Sequence, residues 1–191
     1  KFDKNLNLTG DLAEKWEIKD GGLIIIFYLK KNVKWHDGAP FTAKDVKFTY
    51  DIYMAPETKT AYRSLFEPVK NVIVIDDYTV KVNYKKPFAP ALQYWGTGIL
   101  PSHLLEGKDI NTAVFNRAPV GTGPYTFKNW KTGRSVELMA NKDYFDGAPY
   151  ISNYLFRIIP DQSVQFMNLQ AGSLDMMTLS LDLYFTKANT E

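Results

Sequence analysis

Residues 33–46, VKWHDGAPFTAKDV, determine how the first half of the chain folds. The Asp37-Gly38 pair is typical of a tight turn, because glycine adopts the backbone angles that such turns need. Thr42, followed three residues later by Asp45, matches a capping box, in which each side chain binds the free backbone N–H of the other residue. The stretch therefore predicts a turn and then a capped helix over residues 43–54.

Strands are predicted on both sides of this helix. The clearest patterns of strand-forming residues lie at residues 14–19, 23–31, 69–76 and 79–84. Asp20-Gly21-Gly22 suits the hairpin turn between the first two strands. Short helices are predicted over residues 88–95 and 101–105, separated by the breaker Gly96-Thr97-Gly98.

The second half continues with further strands and one helix. Strands are predicted at residues 125–130, 135–140 and 154–159, and a helix at residues 162–171 that ends at Gly172. Because strands and helices interleave, the predicted fold class is α/β or α+β. The glycine-rich step around residues 96–101 is the candidate boundary, so we divide the chain into a strand-rich subdomain, 1–99, and an α/β subdomain, 100–191.

The composition is that of a globular protein, with 45% hydrophobic and 23% charged residues in a chain of 191. The 23 basic and 21 acidic residues are scattered and give a net charge of +2, which counts against nucleic-acid binding. The longest apolar run, residues 23–29, is too short to cross a bilayer, and no signal-peptide pattern opens the chain. The ends, Lys1-Phe2-Asp3 and Asn189-Thr190-Glu191, are those expected of a piece excised from a longer protein.

The two histidines and the lack of cysteine argue against catalysis and metal binding. His36 and Asp37 are adjacent, so on an extended segment their side chains point to opposite sides and do not act on one substrate together. His103 is remote in sequence and has no serine nucleophile motif beside it, and the chain contains no HExxH pattern. We therefore predict no catalytic residue, no metal site and no cofactor.

Two Gly-Thr-Gly loops and three aromatic residues are candidates for binding. Gly96-Thr97-Gly98 and Gly121-Thr122-Gly123 could cradle an anion with backbone N–H groups, or simply form turns, because neither completes a nucleotide-binding pattern. Aromatic residues make up 15% of the chain, and most belong to the core. Tyr62, Tyr94 and Trp95 lie beside polar or glycine-rich breaks, where side chains often line a cleft.

Five segments carry a further signal: LAEKWEIKDGG, VKWHDGAPFTAKDVKFTYD, VGTGPYTFKNWKTG, NKDYFDGAP and FRIIPDQSVQFMNLQAGSLDMM. In order and spacing they resemble the family 5 extracellular solute-binding proteins of ABC transporters, which include oligopeptide-, dipeptide- and nickel-binding proteins. The resemblance implies a periplasmic-binding-protein-like (type II) fold, with a mixed sheet and flanking helices in lobes that close on a ligand. It implies that this chain forms most of lobe one and ends before the crossover to lobe two, with His36 in a scaffold turn.

The same resemblance suggests which residues of lobe one contact the ligand. Residues 60–64 correspond to the place where oligopeptide-binding members present a tyrosine and nickel-binding members an arginine and a tryptophan. Tyr62 is therefore the first candidate and Arg63 the second. Tyr94-Trp95-Gly96-Thr97 stand where nickel-binding members supply another arginine, and its absence here counts against a nickel-chelate ligand. Thr122 of the second Gly-Thr-Gly loop completes the candidate set.

The resemblance implies a substrate-binding component of an ABC importer, not an enzyme. It would capture a peptide or similar solute between two lobes and deliver it to a membrane permease. The expected form is a periplasmic or extracellular monomer at the cell envelope, in contact with the membrane only through the permease or a lipid anchor. The alternatives are an oligosaccharide or nickel-chelate receptor of the same family, or an enzyme on the same scaffold.

Overall fold

The computed structural model describes residues 1–188, which form two antiparallel sheets with helices between and after their strands. In chain order the elements are β1 (Ala13–Lys19), β2 (Ile24–Leu29), α1 (Ala43–Met54), α2 (Arg63–Phe66), β3 (Val69–Asp76), β4 (Thr79–Tyr84), α3 (Ala91–Tyr94), α4 (Ser102–Leu105), β5 (Tyr125–Lys131), β6 (Ser135–Ala140), β7 (Asn153–Arg157), α5 (Gln162–Gln170) and α6 (Leu181–Leu183). No helix among the described residues is long and apolar enough to cross a membrane. The expectation about the chain's end, which rests on residues 189–191, lies outside the described residues.

The first sheet has the strand order β1-β2-β4-β3 and contributes most of the core. Alternate residues of its two central strands are buried, namely Ile25, Phe27, Leu29, Val80, Val82 and Tyr84. The α1 helix lies against β3 and β4 and buries Val46 and Tyr53. The period-two pattern of the strands and one face of α1 therefore meet in a single apolar core.

The turn between β1 and β2 forms at Asp20–Gly22, as predicted. Asp20, Gly21 and Gly22 all have positive φ angles, 51°, 63° and 94°. Two of these three positions are glycine, which adopts such angles without steric cost. The hairpin register then places Trp16 opposite Phe27.

A buried carboxylate organises the start of α1. Asp45 is 2% exposed and accepts the backbone N–H of Thr42 at 2.9 Å, which satisfies the expected N-terminal cap. It also accepts from Trp35 Nε1 at 3.3 Å, and from the backbone N and Oγ of Ser102 at 2.9 and 2.7 Å. One side chain therefore joins the turn before α1, the start of α1 and the start of α4.

The second sheet has the order β5-β6-β7, and few of its side chains are buried. Its first hairpin turns at Gly133, where φ is 70°. The α5 helix follows, with Asp161 as its N-cap, accepting from the backbone N of Val164 at 2.9 Å. Gly172, with φ 70°, follows its C-terminal end, as the sequence predicted.

The predicted α/β fold class is confirmed, with three local differences. All strand pairs among the described residues are antiparallel. Three of these pairs, β1–β2, β3–β4 and β5–β6, are hairpins joined by tight turns, which only an antiparallel pair allows. The helix expected over residues 88–95 is reduced to α3, because Pro90 occupies its N-cap. A single-turn helix that was not predicted, α2, follows directly after Tyr62, which is its N-cap.

Candidate ligand-binding surface

Tyr53, on the last turn of α1, is the centre of a small aromatic surface. Its ring lies 5.4 Å from the ring of Tyr62 and 5.5 Å from that of Phe66. Its hydroxyl donates to the carbonyl oxygen of Gly98 at 3.3 Å. Burial raises the pKa of the Tyr53 phenol, and a hydrogen bond with the Thr97 side chain acts in the opposite direction. We call Tyr53, Tyr62, Thr97 and Gly98 the tyrosine shelf.

The outer member of the tyrosine shelf is Tyr62. Its side chain is 49% exposed, while Tyr53 beneath it is 9% exposed. The backbone N–H of Tyr62 donates to Thr60 Oγ1 at 3.1 Å, and its carbonyl accepts from the backbone N of Leu65 at 3.0 Å. The exposed ring therefore rests on a buried ring and has a fixed backbone, which favours a preformed contact surface.

Arg63, the second predicted ligand residue, is occupied with the protein's own backbone. Its Nη2 atom donates to the carbonyl oxygens of Ala55 at 2.6 Å and Thr58 at 2.9 Å, and its Nε donates to that of Tyr53 at 3.3 Å. The last carbonyls of a helix lack partners within the helix, so this guanidinium stabilises the end of α1. It also fixes the position of the tyrosine shelf.

The 94–97 stretch divides between core and surface. Trp95 Nε1 donates to the Tyr84 hydroxyl at 2.9 Å, and burial raises the pKa of Tyr84 to about 12. Tyr94 packs against Phe88, with ring centroids 5.2 Å apart. A β-carbon on Gly96 would lie 3.0 Å from the carbonyl oxygen of Gln93, so this tight turn favours glycine. Trp95 thus packs largely in the core, and Thr97 is the member of the stretch that joins the shelf.

A cavity of about 280 Å³ lies between the N-terminal segment and the first sheet. Its aromatic lining residues are Phe2, Trp16, Phe27, Phe41 and Trp95. Gly96 and Thr97 also line it, so it adjoins the tyrosine shelf. In the described part of the chain, Asp11 Oδ1 is buried there without a hydrogen-bond partner, 3.6 Å from Lys1 Nζ. The cavity therefore offers apolar volume beside one acidic oxygen.

Thr122 lies apart from the shelf, in the loop of residues 121–123, which we call the glycine loop. Its neighbours contact His36: the backbone N of Gly121 donates to Nδ1 at 3.2 Å, and the carbonyl oxygen of Gly123 accepts from Nε2 at 2.9 Å. The Gly121 N–H is therefore occupied within the protein, as is that of Gly96, which donates to the Gln93 carbonyl. These contacts favour the interpretation of the two Gly-Thr-Gly loops as turns and not as anion-binding loops.

The side chains of His36 and Asp37 point to different partners, as expected for adjacent residues. Asp37 Oδ2 lies 2.7 Å from His103 Nε2. Burial acts to raise the pKa of Asp37, but hydrogen bonds from His103 and the Ala39 N–H outweigh it and hold that pKa below its usual value. The neighbouring Ser102 hydroxyl donates to Asp45, so it does not complete a nucleophilic triad with this pair.

The structure thus brings together some of the predicted residues and separates others. Tyr62, Arg63 and Thr97 meet around Tyr53, while Tyr94 and Thr122 do not. Sequence reasoning missed Tyr53 and the cavity. Tyr53 lies at the end of a correctly predicted helix, but nothing in the local sequence distinguishes it from an ordinary core position.

Comparison with known proteins gives a consistent family. Residues 7–190 match the family described as bacterial extracellular solute-binding proteins, family 5 Middle. The oligopeptide-binding protein AppA of Bacillus subtilis is 39% identical over 194 residues, which cover 97% of this chain and 35% of that protein. A putative ABC transporter peptide-binding protein of Brucella ovis is 32% identical over 96% of this chain and 37% of its own length.

Solved structures agree. NikZ of Campylobacter jejuni, in complex with Ni(L-His), has a TM-score of 0.94 at 35% identity, covering 100% of this chain and 39% of that one. The structure of B. subtilis AppA with a nonapeptide has a TM-score of 0.91, covering 99% of this chain and 39% of its own. The chain spans about a third of the length of the curated relatives it matches. It belongs to the bacterial extracellular solute-binding proteins of family 5.

Proposed function

We propose that the full-length protein is the substrate-binding component of an ABC importer, and that this chain supplies part of the wall that holds a peptide. The observation that carries the proposal is the tyrosine shelf, in which a half-exposed Tyr62 ring is supported by the buried Tyr53 ring. The names of the relatives support a peptide as the ligand, since the B. subtilis and B. ovis proteins are described as oligopeptide- and peptide-binding.

The shelf suits a ligand that presents a backbone as well as side chains. The face of Tyr62 offers apolar area to a peptide unit, and its phenol offers a hydrogen-bond donor and acceptor. The adjoining cavity offers room for an apolar side chain. A second lobe closing over this surface would exclude water and strengthen the polar contacts.

A chelated metal ion is the second candidate ligand. The similarity to NikZ, whose structure contains Ni(L-His), favours it. Against it, the Arg63 guanidinium is bound to carbonyl oxygens of its own chain and does not face outward as a free charge for an anionic chelate. We therefore place the peptide first.

The remaining features of the proposal follow from the receptor function. The protein is periplasmic or extracellular, because its family is one of extracellular proteins. We propose that it acts as a monomer, without catalysing a reaction, and that a membrane permease receives the ligand. We also propose the division into residues 1–99 and 100–191; the two separate sheets support it, although α4 still packs on α1.

The test is calorimetric titration of the full-length protein with a nonapeptide and, separately, with Ni(L-His). We expect the peptide to bind, and Tyr62→Ala to weaken binding by about 1–3 kcal/mol, because an aromatic contact is lost. The melting temperature without ligand should change little, because the ring is half-exposed. Tyr62→Phe should keep most of the affinity, since it retains the ring.

The matched control is the neighbouring Arg63→Ala. It should lower the melting temperature because the carbonyls at the end of α1 lose their donors. If the protein bound Ni(L-His) but not the peptide, the proposed ligand would be a metal chelate and not a peptide. Release of cleaved peptide would overturn the receptor function in favour of an enzyme.

A further inference from the structure

The imidazole of His36 joins the two halves of the molecule. Its ring is half-buried and contacts the glycine loop through both nitrogens: Nδ1 accepts from the Gly121 N–H at 3.2 Å, and Nε2 lies 2.9 Å from the Gly123 carbonyl oxygen. The backbone N–H of His36 also donates to the Gly121 carbonyl oxygen at 2.8 Å. One residue therefore makes three hydrogen bonds to a loop 85 positions away.

These contacts define one form of the ring. A carbonyl oxygen accepts only, so Nε2 must carry a proton, and a backbone N–H donates only, so Nδ1 must be unprotonated. The neutral Nε2–H tautomer satisfies both bonds. A doubly protonated ring would set a second donor against the Gly121 N–H.

The glycine loop fits closely against this ring. A β-carbon on Gly121 would lie 3.3 Å from His36 Cε1, whereas a β-carbon on Gly123 would meet nothing within 4 Å. The Gly123 carbonyl also accepts from Asn141 Nδ2 at 3.2 Å, directly after β6. The chain of contacts therefore runs from the turn before α1, through the loop, to the second sheet.

Other links between the first half and the residues beyond α4 are more exposed or less directional. Lys1 Nζ and Asp146 Oδ2 are 2.5 Å apart, but both side chains are nearly half exposed, and such pairs contribute little. Lys30 lies over the Phe145 ring at 4.7 Å, and Val120 packs against the first core. Apolar packing holds surfaces together without fixing an angle, whereas hydrogen bonds have a preferred direction.

We propose that His36, as its neutral Nε2–H tautomer, is the positioning residue that sets the second sheet relative to the first. This positioning role has one consequence, that Thr122 and the tyrosine shelf are held at a fixed separation. Only that consequence rests on the proposed function. His36 itself does not contact the ligand. The pairing of Asp37 with His103 anchors the other side of the same turn.

The first experiment identifies the tautomer by ¹⁵N NMR of the imidazole in this 191-residue chain. We expect the His36 Nε2 to be protonated and Nδ1 to be unprotonated and hydrogen-bonded. A signal from the Nδ1–H tautomer, or from a freely exchanging mixture, would overturn the proposal.

The second experiment measures the separation of the halves. The chain has no cysteine, so spin labels can be placed at Lys70→Cys on β3 and Asn129→Cys on β5, both exposed positions. Double electron–electron resonance spectroscopy should give one narrow distribution of distances between the two spin labels in the protein with His36 and a broader one in His36→Ala. An unchanged width in a folded His36→Ala variant would contradict the proposal.

Conservative variants separate positioning from folding. His36→Gln retains a side-chain donor for the Gly123 carbonyl and an amide oxygen that can accept from Gly121, whereas His36→Ala retains neither. We expect the Gly121 amide proton to exchange roughly tenfold faster in His36→Ala, as for one lost hydrogen bond, and less so in His36→Gln. The distance distribution should broaden much less in His36→Gln than in His36→Ala; equal broadening would overturn the role of the Gly123 bond.

One matched pair of glycine variants and one further control variant complete the design. Gly121→Ala should broaden the distribution because its β-carbon would press on the ring, and Gly123→Ala should not. His103→Gln, which alters the contact on the opposite side of the turn, should leave the distribution narrow. Because none of these measurements uses a ligand, their failure would leave the proposed transport function untouched.

Discussion

The two sheets of this chain obey the same local rules but differ in burial. In the first sheet, Val80 and Val82 are completely buried, beneath α1 and its neighbours. In the second, Leu155 and Phe156 on β7 are 54% and 52% exposed. Each sheet contains an antiparallel hairpin with glycine at its turn, β1–β2 in the first and β5–β6 in the second. Strand formation and core formation are therefore separate events: turns and alternation give the first, and a covering layer gives the second.

The difference predicts unequal stability along the chain. The first half has a helix with a buried face, a buried carboxylate with four donors and a continuous aromatic cluster. In the second half, Phe166 and Leu183 are the buried large apolar side chains after α4 among the described residues. Regions with few buried apolar contacts open at lower free energy than packed ones. We expect the second half to exchange its amide protons first.

The largest expected effect is in the core of the first half. Phe41 is 0% exposed, so Phe41→Ala should lower the free energy of unfolding by about 3–5 kcal/mol through lost burial and a residual cavity. Phe156→Ala, at an exposed position of β7, should cost less than about 1 kcal/mol in this chain. Urea denaturation, with hydrogen exchange resolved for β2 and β6, measures both. Equal losses in the free energy of unfolding for the two variants would contradict the predicted difference between the two sheets.

A smaller contrast concerns the two carboxylates that begin helices. Asp45→Ala removes the acceptor for four donors and should cost about 2–4 kcal/mol, because buried donors lose their partners. Asp161→Ala removes an exposed cap with one donor and should cost about 1 kcal/mol. Chemical denaturation of both variants decides the ranking. Asp45→Asn, which keeps one oxygen acceptor, should fall between the parent and Asp45→Ala.

The smallest contrast appears at alkaline pH. Burial raises the pKa of Tyr84 from 10.0 to about 12, so the folded state keeps a proton that the unfolded state releases. The stability that the neutral Tyr84 contributes is fully present below about pH 10 and is lost as the pH rises through 12. The free energy of unfolding falls by about 1.4 kcal/mol per pH unit in this range. Tyr84→Phe should make the pH dependence of the free energy of unfolding shallower between these pH values.

The control for the alkaline slope is Tyr150→Phe in the second half. Tyr150 is fully exposed, so the variant should keep the parent's slope. Absolute stability is not the readout here, because Tyr84→Phe also removes the acceptor for Trp95 Nε1. A Tyr84→Phe protein with an unchanged slope would assign the alkaline loss to other groups.

Much of the secondary structure was predictable from local chemistry. The helix over Ala43–Met54 has the predicted bounds, and the strands Val69–Asp76 and Thr79–Tyr84 do as well. In each case the signal is contained within a few residues: a cap, a glycine turn or an alternation of apolar side chains. The α2 helix was not predicted, because it is a single turn that no periodic pattern indicates.

The roles of individual polar residues were less predictable. Arg63 was a candidate for the ligand, yet its donors meet carbonyl oxygens at the end of α1. Asp45 was expected to cap one helix; it does so, and it also accepts hydrogen bonds from Trp35 and Ser102. His36 was expected in a turn, and it is there, but its ring binds a loop far along the chain. Each of these partners is brought near only by folding.

The sequence by itself determined the strands, the capped helix, the α/β class and the family, because periodicity, turn chemistry and motif order are properties of neighbouring residues. Tertiary structure alone decided that Tyr62 rests on Tyr53, and that His36 contacts the glycine loop. It also decided that one sheet is covered and the other is open. The reason is physical: a side chain's burial and hydrogen-bond partners depend on atoms that are distant in sequence, and their positions are fixed only when the whole chain packs.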